Sequence, residues 1–165
     1  MTIRPAHPDE AELLTGIALR SKAHWGYDAA FMHACVPALT LTPARIQAEP
    51  FFVLEEDGLV LGFGGLRIEG EEAELTNLFV EPDAIGRGHG RRLWCHAVAL
   101  ACALGARRMR VESDPFAEAF YRAMGAERIG EAASDAIPGR LIPLLVFALP
   151  NTTEVGLEGA FTSSA

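Results

Sequence analysis

Residues 74–105 read ELTNLFVEPDAIGRGHGRRLWCHAVALACALG, and the order of their chemical types decides the fold. An apolar strand runs to Val80, Glu81-Pro82-Asp83 break it, glycines follow at 86, 88 and 90, and a long apolar-striped helix ends at Gly105. Glycine adopts φ values closed to other residues and lets a ligand approach the main chain closely. With Gly90 just ahead of the predicted helix, the unpaired N–H groups of its first turn converge where the macrodipole is positive. Such a spot suits a phosphate. Arg87, Arg91 and Arg92 agree with that reading, because cations in a helix's first turn are mildly unfavourable unless an anion sits there. The competing reading is a glycine-rich turn carrying solvated arginines.

Spacing excludes two common phosphate motifs. A P-loop needs Lys-Ser or Lys-Thr after its last glycine, where this chain has Arg91-Arg92. A dinucleotide fingerprint begun at Gly86 needs glycine at Arg91, and one begun at Gly88 needs it at Leu93. What remains resembles the acetyl-CoA loop of the GNAT superfamily of N-acetyltransferases: Gln or Arg, two residues, Gly, any residue, then Gly or Ala. Gly88 and Gly90 fill the last two defined positions, whereas Ile85 stands where Gln or Arg is usual. The resemblance implies that Phe79, Val80, Ile85, Gly86, Arg87, Gly88, His89, Gly90 and Arg91 border acetyl-CoA, with Arg87 or Arg91 supplying the charge that Ile85 lacks.

A chain of 165 residues has room for one domain with a substantial core, expected over residues 1–150, followed by a flexible tail at 151–165. Its apolar run from Leu93 to Ala106 is interrupted by His96 and too short for a bilayer, and MTIRPAHPDE does not read as a secretory signal. A cytoplasmic protein is expected. The net charge of −8 opposes non-specific binding to nucleic acid or anionic membranes. Cys35, Cys95 and Cys102 lack metal-ligand spacing, and Cys95 and Cys102 lie roughly 10 Å apart along a helix, too far to bridge. Neither a metal nor a disulfide is expected.

In chain order, Thr2 to Ala6 reads as a strand, and Pro8-Asp9-Glu10 opens a helix that runs to about Lys22. His24-Trp25-Gly26-Tyr27-Asp28 breaks it before a second helix from Ala29 to Leu39. Thr42-Pro43 caps a short third. Asp57-Gly58 marks a hairpin between FFVLEED and LVLGFGGLRI, and Glu69-Gly70 turns into the strand ending at Val80. After the long helix come a strand at Arg108 to Glu112, a helix at Phe116 to Met124, and strands at Ala126 to Gly130 and Arg140 to Leu149. Pro143 argues for an edge or a bulge in the last one. This order describes an α+β layer with a mixed, mostly antiparallel sheet flanked by helices. The GNAT resemblance adds that the fourth and fifth strands splay around the CoA site.

Acetyl transfer from a thioester to an amine needs a base, stabilisation of an oxyanion, and protonation of the departing thiolate. The resemblance points to Glu74 as the base, with Glu72 and Glu81 competing. It points to a backbone N–H near Phe79 or Val80, at a bulge in the fourth strand, for the oxyanion. Tyr121, in a segment reading FY, three residues, G, matches the family's thiolate-protonating tyrosine. The segment holding Ser21, His24, Trp25 and Tyr27 would wall the acceptor pocket, unless its aromatics simply pack inward, and Arg140 would reach an acceptor carboxylate or the pocket edge, unless it is a surface arginine after a turn. Asp114, where the family often has Asn, reads as a helix cap. The expected partner is a small-molecule, peptide or protein amine, and a homodimer is also compatible with the chain. The alternative function is a non-catalytic module of the same fold that holds CoA or another phosphate ligand as a sensor.

Overall fold

The computed structural model describes residues 1–151; the greater part of the expected tail, 152–165, lies outside them. Seven strands form one sheet: β1 (Thr2–Pro5), β2 (Phe51–Glu56), β3 (Leu59–Glu69), β4 (Glu72–Val80), β5 (Arg108–Glu112), β6 (Glu127–Ala133) and β7 (Leu141–Ala148). Their spatial order is β1-β2-β3-β4-β5-β7-β6. The first four make an antiparallel meander, and β5 joins β4 as the sole parallel pair among the described residues. The sheet is therefore mixed and mostly antiparallel, as expected. At the first hairpin, Asp57 and Gly58 have φ of 51° and 78°, the two positive values that a tight turn matched to strand twist requires.

Helices α1 (Ala11–Ala23), α2 (Ala29–Leu39) and α3 (Pro43–Ala48) cover one face, and α4 (His89–Ala103) lies against the other, with α5 (Glu118–Ala123) following β5. The core divides accordingly. Leu14, Ile17, Val53 and Phe63 fill the first layer, while Leu66, Leu75, Leu93, Trp94, Met109 and Leu145 fill the layer under α4. No described helix is long and apolar enough to cross a membrane.

Two irregularities differ from the sequence reading. The bulge in β4 falls earlier than Phe79–Val80: Gly65 pairs with Asn77 and Leu66 with Leu75, so Thr76 is the extra residue. An extra residue reverses which face the later side chains take. Ala73 and Leu75 point to the α4 layer before it, and Leu78 and Val80 do so after it. Pro143 lies on neither an edge nor a bulge, since β7 is interior, between β5 and β6. Its carbonyl accepts from Ser113 N–H at 2.9 Å, just past the end of β5, so the bond that Pro143 cannot donate belongs to the last rung of the β5–β7 ladder. The register shift in this region belongs to β6, around Ile129.

Candidate active site

The site opens where β4 and β5 part. Their pairing consists of Glu72–Arg108, Ala73–Met109 and Glu74–Arg110, after which Leu75 to Val80 continue without a partner on that side. Glu81 N–H donates to Leu61 O at 2.8 Å. By the alternation of an antiparallel ladder, Phe79 turns its main-chain groups toward β3 as well, opposite Phe63, whereas Leu78 and Val80 turn theirs to the open gap. The main-chain donors available to a ligand are thus those of Leu78 and Val80, and Phe79 is not among them.

The glycine loop closes one end of this gap. Gly86 and Gly88 have φ of 83° and 82°, and a Cβ on either would project into open space. α4 begins two residues earlier than expected, with Gly88 as its N-cap and Gly90 inside its first turn. Gly90 serves packing instead: a Cβ there would meet the Phe120 ring at 3.3 Å. Gly88 contributes no capping side chain, and the first backbone bond of the helix is Arg92 N–H to Gly88 O, so the N–H groups of His89, Gly90 and Arg91 remain available to an anion.

A cleft of about 300 Å³ follows from there, lined by Leu78, Val80, Ile85, Gly86, Gly88, His89 and Gly90 on one side and Phe116, Phe120 and Tyr121 on the other. A second cleft of about 230 Å³ holds Lys22, Phe79, Glu112, Ser113, Asp114, Ser134 and Arg140. Ser21, Trp25, Leu78, Ala117 and Tyr121 line both, so the two clefts meet beside Tyr121. Residues 18–126 match the model of the acetyltransferase (GNAT) family. This chain belongs to the GNAT family.

A Bacillus subtilis (strain 168) protein, named as a candidate ribosomal protein bS18 alanine N-acetyltransferase, is 31% identical over 80 residues. The match covers 47% of this chain and 53% of that protein, so it spans about half the relative's length. Among solved structures, a GCN5-related N-acetyltransferase from Rhodopseudomonas palustris superposes with TM-score 0.76 at 22% identity, covering 90% of this chain and 95% of the other. The PaiA N-acetyltransferase of Thermoplasma acidophilum, solved with coenzyme A, gives 0.69 at 17% identity over 89% and 98% of the two chains. These two likenesses establish the fold.

Tyr121 is 7% exposed and packs edge-on against Phe120 and tilted against Trp94. Burial, with the Asp114 charge adding to it, pushes its phenol well above the usual tyrosine value, so the hydroxyl is protonated at neutral pH. Asp114 accepts from Phe116 N–H at 2.9 Å and so caps the turn before α5, as read from sequence. It also binds Lys22 Nζ at 2.9 Å and accepts from the Tyr27 hydroxyl, at 2.9 Å to Oδ2. Burial alone would raise the Asp114 carboxyl, but Lys22, the Phe116 N–H and Tyr27 together hold it below the usual range. The Tyr27 hydroxyl in turn accepts from Arg140 Nη2 at 2.9 Å. Trp25 is 39% exposed and stacks on Phe116 with rings 5.5 Å apart, so it borders both clefts rather than packing inward.

The carboxylates separate by position. Glu74 lines a third, adjoining cleft with Arg67, which it meets at 3.4 Å. Glu112 lines both that cleft and the one holding Arg140, and pairs with Arg110 at 2.8 Å. Glu72 pairs with Arg108 at the start of β4, and Glu81 pairs with Arg20 beside a separate groove that also holds Arg87 and His24. Arg91 is exposed. Sequence reasoning missed Glu112, Lys22, Leu78, Phe116 and Phe120 as lining residues, and gave Asp114 only its capping role. The Asp-Pro-Phe turn was the one local hint, because the partners Asp114 gathers are 87 and 92 positions away.

Proposed function

We propose that this protein is an acetyl-CoA-dependent N-acetyltransferase in which the acceptor amine attacks the thioester directly. The observation that carries this reading is the meeting of the two clefts at Tyr121, one walled by main chain and the start of α4, the other by charged side chains. The pyrophosphate of acetyl-CoA fits the free N–H groups of His89, Gly90 and Arg91, with Arg87 or Arg91 adding charge because Ile85 offers no hydrogen bond. The pantetheine arm pairs with the outward main-chain groups of Leu78 and Val80, as a peptide adds to an exposed strand.

The amine lone pair adds to the thioester carbonyl carbon, forming the C–N bond, and the oxyanion is met by a backbone N–H of Leu78 or Val80. The C–S bond then breaks, sulfur leaves with its electron pair, and the Tyr121 hydroxyl donates to it. The proton released from nitrogen passes to a carboxylate through water, and solvent restores the tyrosine proton. Glu74 remains the base suggested by resemblance, and Glu112 is the carboxylate that borders the acceptor cleft itself. Three free thiols, at Cys35, Cys95 and Cys102, support a cytoplasmic setting.

The test is thiol release from acetyl-CoA with a panel of small amines, amino acids and peptides, including an alanine-terminated peptide because of the relative's name. CoA-induced thermal stabilisation is measured in parallel. Stabilisation with amine-dependent thiol release supports the enzyme, stabilisation without release across the panel supports the sensor module, and the absence of both sinks the CoA assignment.

A further inference from the structure

Charges in the acceptor cleft do not pair off evenly. Lys22 is bound to Asp114 and Glu112 to Arg110. Arg140 has no carboxylate within ion-pair distance among the described residues, and its one polar side-chain contact is the Nη2 bond to the Tyr27 hydroxyl. Its guanidinium lies 4.9 Å from the Phe31 ring centroid and 5.4 Å from that of Tyr27. Tyr27 and Phe31 are themselves stacked at 4.0 Å with 12° between their planes.

The geometry is built, not incidental. Arg140 ends a loop closed by Ser134 N–H to Arg140 O at 2.8 Å and Arg140 N–H to Ile137 O at 3.2 Å, while the Ser134 hydroxyl accepts from Ala136 and Ile137 N–H. Tyr27, which receives the guanidinium bond, is fixed by Asp114. A guanidinium has five N–H donors, and one is used here. What such a half-buried, positioned fork binds best is a carboxylate, which it can hold through two parallel bonds.

We propose that Arg140 is the anion subsite of the acceptor cleft, and that the acceptor is a small amine that also bears a carboxylate. This rests on the acetyltransferase reading above. The cleft, of about 230 Å³, has room for an amino-acid-sized acceptor. A peptide carrying an acidic side chain shares the recognised chemistry and forms a separate arm of the test.

Free amino acids are compared with their C-terminal amides as acceptors, and short peptides with an acidic residue are compared with their neutral counterparts. In the wild type, kcat/KM should favour the carboxylate member by roughly tenfold to a hundredfold, as a charge-assisted hydrogen-bonded pair warrants. R140Q should bring the ratio near one, mainly through KM, and R140K should retain part of it. Preference confined to the peptides would replace the amino-acid arm with the peptide arm. No preference in either arm, or an R140Q ratio equal to wild type in protein shown folded by circular dichroism, overturns the subsite.

Binding separates this from the catalytic reading. With CoA present, N-acetyl amino acids covering each side-chain class should stabilise the wild type against heat more than their amides do, and R140Q should lose the difference. If that bias appears while no amine is acetylated, the subsite stands and the enzyme reading fails. If acetylation proceeds without any carboxylate bias, the reverse holds.

Discussion

The two clefts that meet at Tyr121 are made from different parts of the chain. The phosphate end of the cofactor cleft is the work of residues close in sequence, between Ala84 and Gly90, and of main-chain groups held by φ values of 83° and 82° at Gly86 and Gly88. The acceptor cleft is assembled from side chains whose contacts span 87 to 113 positions, through Lys22, Tyr27, Asp114 and Arg140. Main-chain recognition of phosphate depends on backbone conformation and tolerates most side chains. Side-chain recognition depends on which residues the fold brings together, and can change without disturbing the sheet.

The largest effect should come from breaking the main-chain cleft. In Gly88→Val, a β-branched side chain must enter the left-handed region and project into the space before the helix start. CoA affinity should fall by roughly a hundredfold or more, with a loss of about 1–2 kcal/mol of stability from the backbone conformation. Calorimetric titration with CoA, beside a melting curve, checks both. Gly90→Ala is the contrasting case, since Gly90 is helical and its Cβ meets only the edge of Phe120 at 3.3 Å. It should cost packing and little affinity; equal losses in the two variants would mean that the loop merely holds α4 in place.

The same contrast explains what could be read before the fold was known. The hairpin at Asp57-Gly58, the glycine loop, the Asp114 cap and the helical stretch Ala29 to Leu39 are written in residues a few positions apart, where turn chemistry and periodicity act. The Thr76 bulge was misplaced because it depends on the pairing of β3 with β4, and a threonine carries no mark of being the unpaired residue. Pro143 was misread for a similar reason: the rule that proline avoids interior strands relaxes at the last rung of a ladder, where only a terminal bond is lost. Tyr121 was legible from a short local segment, whereas Lys22, Glu112 and the pairing of Tyr27 with Arg140 were not, having no local signature.

At the junction of the clefts, Tyr121→Phe should leave CoA binding nearly intact and lower kcat by at least roughly tenfold, the low end for general acid catalysis being about a hundredfold. Because burial and Asp114 keep the phenol protonated, the wild-type rate should show no loss from tyrosine ionisation below about pH 10, its ordinary value. A lower melting temperature with kcat preserved would make the residue a packing element. Glu74→Gln and Glu112→Gln then divide the base. The variant lacking the base should be slowed at neutral pH by roughly tenfold or more, with the defect shrinking at high pH where the amine deprotonates unaided. A defect constant across pH in both variants would assign both carboxylates to positioning.

The smallest effect on catalysis should come from Asp114→Asn, whose main readout is stability. Asn keeps a side-chain oxygen for the Phe116 N–H but leaves Lys22 without its anion, in a pair whose side chains are 15% and 14% exposed. At neutral pH the loss should be about 1–3 kcal/mol, the usual cost of removing one member of a largely buried charged hydrogen bond. The Asp114 carboxyl titrates below its unfolded value because Lys22, the Phe116 N–H and Tyr27 outweigh the opposing effect of burial. Between the folded and unfolded pKa values the unfolded chain therefore binds more protons, and stability rises with pH. The contribution is complete above about pH 3.9, the ordinary aspartate value, and is lost as pH falls through the lower folded value. Urea unfolding of wild type and variant at neutral pH and at successively lower pH should show the gap between them closing in that acid window, while CoA affinity at neutral pH moves little. A gap that stays constant into acid would show that Asn fails as a cap and that the charge contributes nothing. A large drop in CoA affinity would show that the two clefts, separate in their sequence origins, are coupled through the turn that carries Phe116.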